Sequence, residues 1–102
     1  MNYRIFLLEE AENELDESFI WYETQKIGLG AEFISHIEKS FEFIKNNPHA
    51  SQKKRKNVYR HVMKKFPFGI YYSIDQKQIQ IKIIGILHFK RKPTVWRKRL
   101  KR

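Results

Sequence analysis

The stretch IQIKIIGIL, residues 79–87, has the apolar pattern of a β-strand. Ile79, Ile81 and Ile83 alternate with polar residues, which is the period of a β-strand that buries one face. From Ile83 to Leu87 the stretch is apolar at every position, as is typical of a strand covered on both faces. We therefore predict that it forms the central strand of a sheet.

Three further strands are predicted in the rest of the chain. VYRHVMKK at 58–65 and FGIYYSID at 68–75 also alternate with a period of two, and short links join them to each other and to the central strand. This spacing predicts an antiparallel meander with hairpin loops. YRIFL at 3–7 predicts a short first strand, whereas HASQKKRKN at 49–57 is interpreted as a polar, basic loop.

Two amphipathic helices are predicted between the first strand and the meander. Acidic residues fill the gaps in the apolar stripe of the first helix, and Gly28 and Gly30 break it. NNP at 46–48 closes the second helix, because the residue before a proline is pushed out of helical geometry. We expect an antiparallel helical hairpin that covers one sheet face. The apolar stripes consist of Leu8, Ala11, Leu15, Phe19 and Tyr22 in the first helix and of Phe33, Ile34, Ile37, Phe41 and Ile44 in the second.

The predicted fold class is α+β, in the order β-α-α-β-β-β, with the meander sheet packed against the helical hairpin. One domain is expected to span residues 1–102. Pro93 can open a short C-terminal helix at its first position, with Trp96 and Leu100 one turn apart.

Composition excludes several classes of protein. The chain has no cysteine, which rules out disulfides and thiolate metal sites and suits a reducing cytoplasm. No apolar run approaches the roughly 20 residues that span a bilayer. MNYRIFLLEE at 1–10 lacks the pattern of a signal peptide. We expect a cytoplasmic protein with no membrane partner.

The net charge of +10 is distributed unevenly along the chain. Residues 1–51 hold four Lys/Arg against ten Asp/Glu, whereas residues 52–102 hold seventeen Lys/Arg against one acid, Asp75. A basic half of this kind is expected to meet an anionic partner. Charge alone leaves two partners open, because a positive concavity beside aromatic rings can bind nucleic-acid phosphates or an acidic peptide.

Few residues carry a pattern that indicates chemistry. His36, His49 and His61 are interpreted as surface or half-buried sheet residues, whereas His88 ends the central strand, where side chains often form a site. The spacings predict no metal centre, no phosphate loop and no nucleophile elbow, so we expect no cofactor. The acidic cluster at 9–17 is interpreted first as a solvated helix face and second as a docking surface.

The chain resembles the RelE/ParE superfamily of toxins from type II toxin–antitoxin modules in its element order and in two segments, FPFGIYYSID and IIGILHFKRKPTVWRKR. Within the superfamily it is most similar to the ParE or plasmid-stabilisation branch. In that branch the last strand runs into a histidine, a basic pair, a proline and an aromatic residue, which are His88, Lys90-Arg91, Pro93 and Trp96 here. The resemblance implies a small bacterial toxin that a cognate antitoxin holds inactive.

The resemblance implies two alternative activities. ParE-type members inhibit DNA gyrase without catalytic residues of their own. RelE-type members cleave mRNA on the ribosome, and the set that could serve this here is Arg60, Tyr72, His88 and Arg91. Gly69 and Trp96 depart from the RelE pattern, because they replace an arginine and a tyrosine. For this reason we expect a gyrase inhibitor whose target-binding surface consists of Arg60, His88, Lys90, Arg91, Trp96 and Arg97. A non-toxic nucleic-acid-binding module is the third alternative.

Overall fold

The computed structural model describes residues 3–91 and 95–101, which form two helices, five strands and a terminal 3-10 helix. The predicted α+β class is therefore confirmed. No helix in this described part is long and apolar enough to cross a membrane. In chain order the elements are β1 (Arg4–Leu7), α1 (Glu9–Gln25), α2 (Leu29–Asn46), β2 (Gln52–Arg55), β3 (Val58–Val62), β4 (Phe68–Asp75), β5 (Gln80–His88) and the 3-10 helix (Val95–Lys101).

The five strands form one mixed sheet in the order β1-β5-β4-β3-β2. β3, β4 and β5 pair antiparallel, which confirms the predicted meander. β1 pairs parallel with β5, with Ile5 beside Ile81, and the helical hairpin and strands β2, β3 and β4 form the connection between them. β5 thus lies between β1 and β4, the interior position that its run of apolar residues predicts.

The interpretation of residues 49–57 as a loop is wrong in part, because Gln52–Arg55 forms the edge strand β2. Gln52 pairs with Arg60, and Lys53 pairs with Tyr59. An edge strand needs a partner on one side only, so it can consist of charged residues that show no apolar alternation. Lysines at a sheet edge also discourage pairing with a further strand.

The helical hairpin covers one face of the sheet and closes the main core. Gly30 allows the two helices to approach, because a Cβ at this position would lie 2.8 Å from the backbone oxygen of Phe19. The carboxylate of Glu23 accepts hydrogen bonds of 3.0 Å from the backbone N–H groups of Gly28 and Gly30, which fixes the turn. The buried centre of this core includes Phe33, Ile37, Ile44, Ile70, Ile81 and Ile83.

A second, smaller core lies on the opposite face of the sheet. A register shift places Tyr71 opposite Gly85 but Tyr72 opposite Ile83, so Ile84 is an extra residue in β5. β5 is apolar on both faces because Ile83 and Ile86 enter the main core while Ile84 and Leu87 enter the second core. The 3-10 helix covers the second face and supplies the predicted short terminal helix, whereas Pro93 lies outside the described residues. The second core consists of Val58, Tyr71, Ile84, Leu87 and Trp96.

Candidate functional site

A groove of about 650 Å³ runs between α1 and the neighbouring ends of β4 and β5. We call it the α1–β5 groove. Tyr22, Phe68 and Ile86 contribute apolar side chains to it, and the exposed Trp21 lines one side. The predicted site residues His88, Lys90 and Arg91 also line the groove. The structure thus brings together three of the six residues predicted to bind a target.

The turn after β5 holds these three residues in place. The backbone N–H of Lys90 donates to Nδ1 of His88 at 3.1 Å, and the N–H of Arg91 donates to the His88 carbonyl at 2.9 Å. Because a backbone N–H can only donate, Nδ1 acts as an acceptor and the ring hydrogen lies on Nε2. The ring also packs edge-on against Phe68, with centroids 5.3 Å apart. His88 can therefore offer one fixed N–H donor.

Glu14, which lines the groove, forms a buried ion pair with Arg99. The carboxylate accepts hydrogen bonds of 3.0 and 2.8 Å from Nη1 and Nη2 of Arg99. It also accepts a bond of 3.0 Å from the backbone N–H of Ile86, and Arg99 donates to the carbonyl of Ile84 at 3.0 Å. Nη1 of Arg91 lies 3.9 Å from the same carboxylate. The pair thus ties α1, β5 and the 3-10 helix together.

This ion pair is not predicted by the sequence pattern, which places Glu14 among the solvated acids of α1. One local signal could have separated it from them. Glu14 follows the buried Ala11 by three residues, so it lies on the apolar stripe of the helix, and it is 9% exposed. A carboxylate on a buried stripe needs a cation or several donors.

The other three predicted target-binding residues lie on the opposite face of the sheet. Trp96 stacks on Tyr71 with ring centroids 5.6 Å apart, and the guanidinium of Arg97 lies 5.6 Å from the Trp96 centroid. Arg60 donates from Nη2 to Oε1 of Gln52 at 2.7 Å. The place of Trp96 in the predicted target-binding surface does not fit this position, since a side chain 2% exposed has almost no surface to offer a partner.

The predicted RNase set does not form one site. Tyr72 is fully buried on the helix side of the sheet, where its hydroxyl donates to the Pro48 carbonyl at 2.7 Å and burial raises its pKa. Arg60 lies on the other face, beside Gly69 and Tyr71. Only His88 and Arg91 of that set share the α1–β5 groove. Among the described residues, no group of three or more His, Asp and Glu could hold a metal ion.

The solved structures with a similar fold include a toxin and toxin–antitoxin systems. The chromosomal ParDE toxin–antitoxin system from P. aeruginosa matches with a TM-score of 0.71 at 16% identity, over 84% of this chain and 95% of that one. The isolated E. coli RelE toxin matches with a TM-score of 0.66 at 14% identity, over 97% and 96%. The RelBE2 toxin–antitoxin complex from Mycobacterium tuberculosis matches with a TM-score of 0.57 at 13% identity, over 86% and 99%. At these identities the likeness shows the fold alone.

The family follows from the sequence itself. Residues 5–93 match the family model of the ParE toxin of type II toxin–antitoxin systems, parDE. No curated protein matches the chain significantly. The family model spans both helices and all five strands, and it confirms the resemblance seen in the sequence. The chain therefore belongs to the ParE toxin family of type II toxin–antitoxin systems.

Proposed function

We propose that this toxin acts in the bacterial cytoplasm by binding and inhibiting DNA gyrase through the α1–β5 groove, and that a cognate antitoxin neutralises it. Family membership supports the toxin role, and the groove supports binding to a protein target. The antitoxin enters the proposal because the similar solved structures include toxin–antitoxin complexes.

The composition of the α1–β5 groove is the observation that carries the proposal. Its apolar part, with Trp21 exposed by 58%, suits an aliphatic or aromatic anchor of a partner protein. Lys90 and Arg91, which are both exposed, can pair with acids beside that anchor and steer its approach. An apolar centre with a charged rim is the usual anatomy of a protein interface.

The separation of the RNase set argues against the RelE-type alternative. General acid–base cleavage of RNA needs proton-transfer groups and cations around one phosphate. Here Tyr72 is buried among the residues of the main core, and Arg60 lies on the opposite face of the sheet. Inhibition of a target protein requires no such constellation, so it agrees better with this geometry.

Induced expression without antitoxin tests the proposal. We expect an SOS response and accumulated gyrase–DNA cleavage products, and the variant Lys90→Glu should weaken both because it reverses a charge at the groove rim. Lys56→Glu is the matched control, since Lys56 is exposed in the turn before β3, away from the groove. Rapid transcript cleavage with intact DNA would reject gyrase as the target.

A further inference from the structure

A second groove, of about 460 Å³, lies on the other side of the hairpin, between α2 and β3. We call it the α2–β3 groove. α2 contributes His36, Lys39, Ser40 and Phe43 to it, at the three-, four- and seven-residue spacings of one helix face. His61 of β3 and Lys64 of the following turn complete the lining. None of the six residues takes part in the α1–β5 groove.

The centre of this groove is an uncovered aromatic surface. Phe43 is 44% exposed, and its ring lies 5.4 Å from that of His61 at an angle of 37°. Burial, with the nearby Lys64 as a smaller cause, lowers the pKa of His61, so its ring is neutral at pH 7. Two neutral flat rings side by side offer a platform for an apolar side chain rather than for a charge.

Cations without an acidic partner flank this platform. Lys39 and Lys64 are exposed, and neither forms an ion pair within the part of the chain that the structure describes. Their neighbour Lys65, by contrast, is paired with Glu32. The lining of the groove contains no acid. It therefore has an excess of positive charge that a partner can neutralise.

His36 adds a directed polar group. Its Nδ1 lies 2.9 Å from the carbonyl oxygen of Glu32, and a carbonyl can only accept, so Nδ1 carries a hydrogen. The remaining nitrogen, Nε2, is then free to bond with a ligand. The ring is fixed further by an edge-on contact with Phe66, with centroids 5.4 Å apart.

We infer that the α2–β3 groove binds an acidic segment of the antitoxin, whose aromatic or aliphatic anchor packs on Phe43 and His61 while its carboxylates pair with Lys39 and Lys64. The inference rests on the proposed function for the existence of the antitoxin, and it adds the place and chemistry of the contact. A protein segment suits the groove better than nucleic acid does. Phosphate chains need a row of cations, and β2 and the turn after it carry such a row, whereas this groove has an apolar centre with two lysines.

The test measures binding of the full chain to the purified product of the open reading frame that adjoins its gene, which is the candidate antitoxin. Lys39→Glu/Lys64→Glu should weaken binding by roughly 30-fold or more, since it places like charges in contact. Phe43→Ala should weaken it by about 10-fold through loss of the platform. Lys53→Glu/Lys77→Glu is the matched control, because it makes the same change of net charge at exposed positions outside the groove, and it should change binding by less than about 3-fold. An equal loss of antitoxin binding in the groove double variant and in the control double variant would overturn the inference.

Fold and function are checked separately. Circular dichroism should show native secondary structure in every variant. If Lys39→Glu/Lys64→Glu fails to fold, Lys39→Ala/Lys64→Ala tests the same two lysines by the same binding measurement. Substitution of the antitoxin acids by lysine, one at a time, should restore binding to the glutamate pair at specific positions. Loss of toxicity with unchanged antitoxin binding would overturn the inference, as would groove-dependent binding of a single-stranded 20-mer RNA in place of the antitoxin. In another outcome, the natural chain fails to inhibit gyrase while the variants of the α2–β3 groove still lose antitoxin binding. That result would reject only the gyrase proposal.

Discussion

The buried pair of Glu14 and Arg99 yields the sharpest prediction about stability. Arg99→Met keeps the long apolar stem of the side chain but removes the guanidinium. The Glu14 carboxylate, 9% exposed, would then keep the hydrogen bond from the backbone N–H of Ile86 at 3.0 Å and the longer contact with Arg91 at 3.9 Å. It would be a buried charge without its partner, which is among the most destabilising changes that one substitution can make.

The expected loss of stability depends on the contacts that the Glu14 carboxylate loses and on the cation that can replace Arg99. Removing one partner of a buried ion pair costs about 3–5 kcal/mol of the free energy of unfolding. Arg91, whose Nη1 lies 3.9 Å from the carboxylate and whose side chain is 50% exposed, can move closer and offset part of the loss. We therefore expect about 3 kcal/mol, which lowers the urea midpoint by roughly 2 M at a slope of about 1.5 kcal/mol/M.

Urea titration of four chains decides the question. Glu14→Gln/Arg99→Met should be more stable than Arg99→Met alone by about 1–2 kcal/mol, because glutamine still accepts from Ile86 and buries no charge. Arg97→Met is the control in the same 3-10 helix. Arg97 is exposed, and its guanidinium lies 5.6 Å from the Trp96 ring centroid, so its loss should cost less than about 1 kcal/mol. A double variant no more stable than the single one would refute the reasoning.

Three further predictions concern other positions in the fold. Gly30→Ala should lower the free energy of unfolding by about 2 kcal/mol in a thermal melt, because its Cβ would lie 2.8 Å from a backbone oxygen of α1. Tyr72→Phe should cost about 1 kcal/mol in urea, since the 2.7 Å bond to the Pro48 carbonyl is lost. Burial, and to a lesser extent Lys64, lowers the pKa of His61, so the folded chain binds fewer protons than the unfolded chain below about pH 6.5. Stability should therefore fall as the pH drops from about 6.5 through the folded pKa. The stability of the His61→Gln variant, measured in urea, should fall less between pH 7 and pH 5.

The sheet was predictable because its signals are local. The apolar run from Ile83 to Leu87 requires cover on both faces, and the structure places β5 between two strands with a core on each side. The edge strand β2 was not predictable in the same way, because its charged residues show no alternation. Pairing of Lys53 with Tyr59 is a property of the sheet and leaves no pattern in the segment itself.

The parts of the site that the sequence missed depend on long-range contacts. Glu14 forms hydrogen bonds with Ile86 and Arg99, which lie 72 and 85 residues later in the sequence. No local pattern therefore connects them. The predicted target-binding surface includes Trp96, because the resemblance places this residue in the C-terminal motif. The second face of β5 needed an apolar cover, however, and Trp96 is the large aromatic residue that the terminal segment supplies.

The uneven distribution of charge explains why the helix side of the molecule carries both grooves. In the described part of the chain, only Lys65, Arg91 and Arg99 of the basic second half pair with acids, and both acids involved lie on the helices. The helices thus neutralise a few cations and contribute apolar surface, while the segments after β3 and β5 contribute Lys64 and Lys90, which form no ion pair with a described residue. Each groove lies where these two contributions meet. An acidic partner is attracted to either groove over a distance of about 10 Å in ordinary salt, and the apolar side chains of α1 or α2 then determine how long it stays.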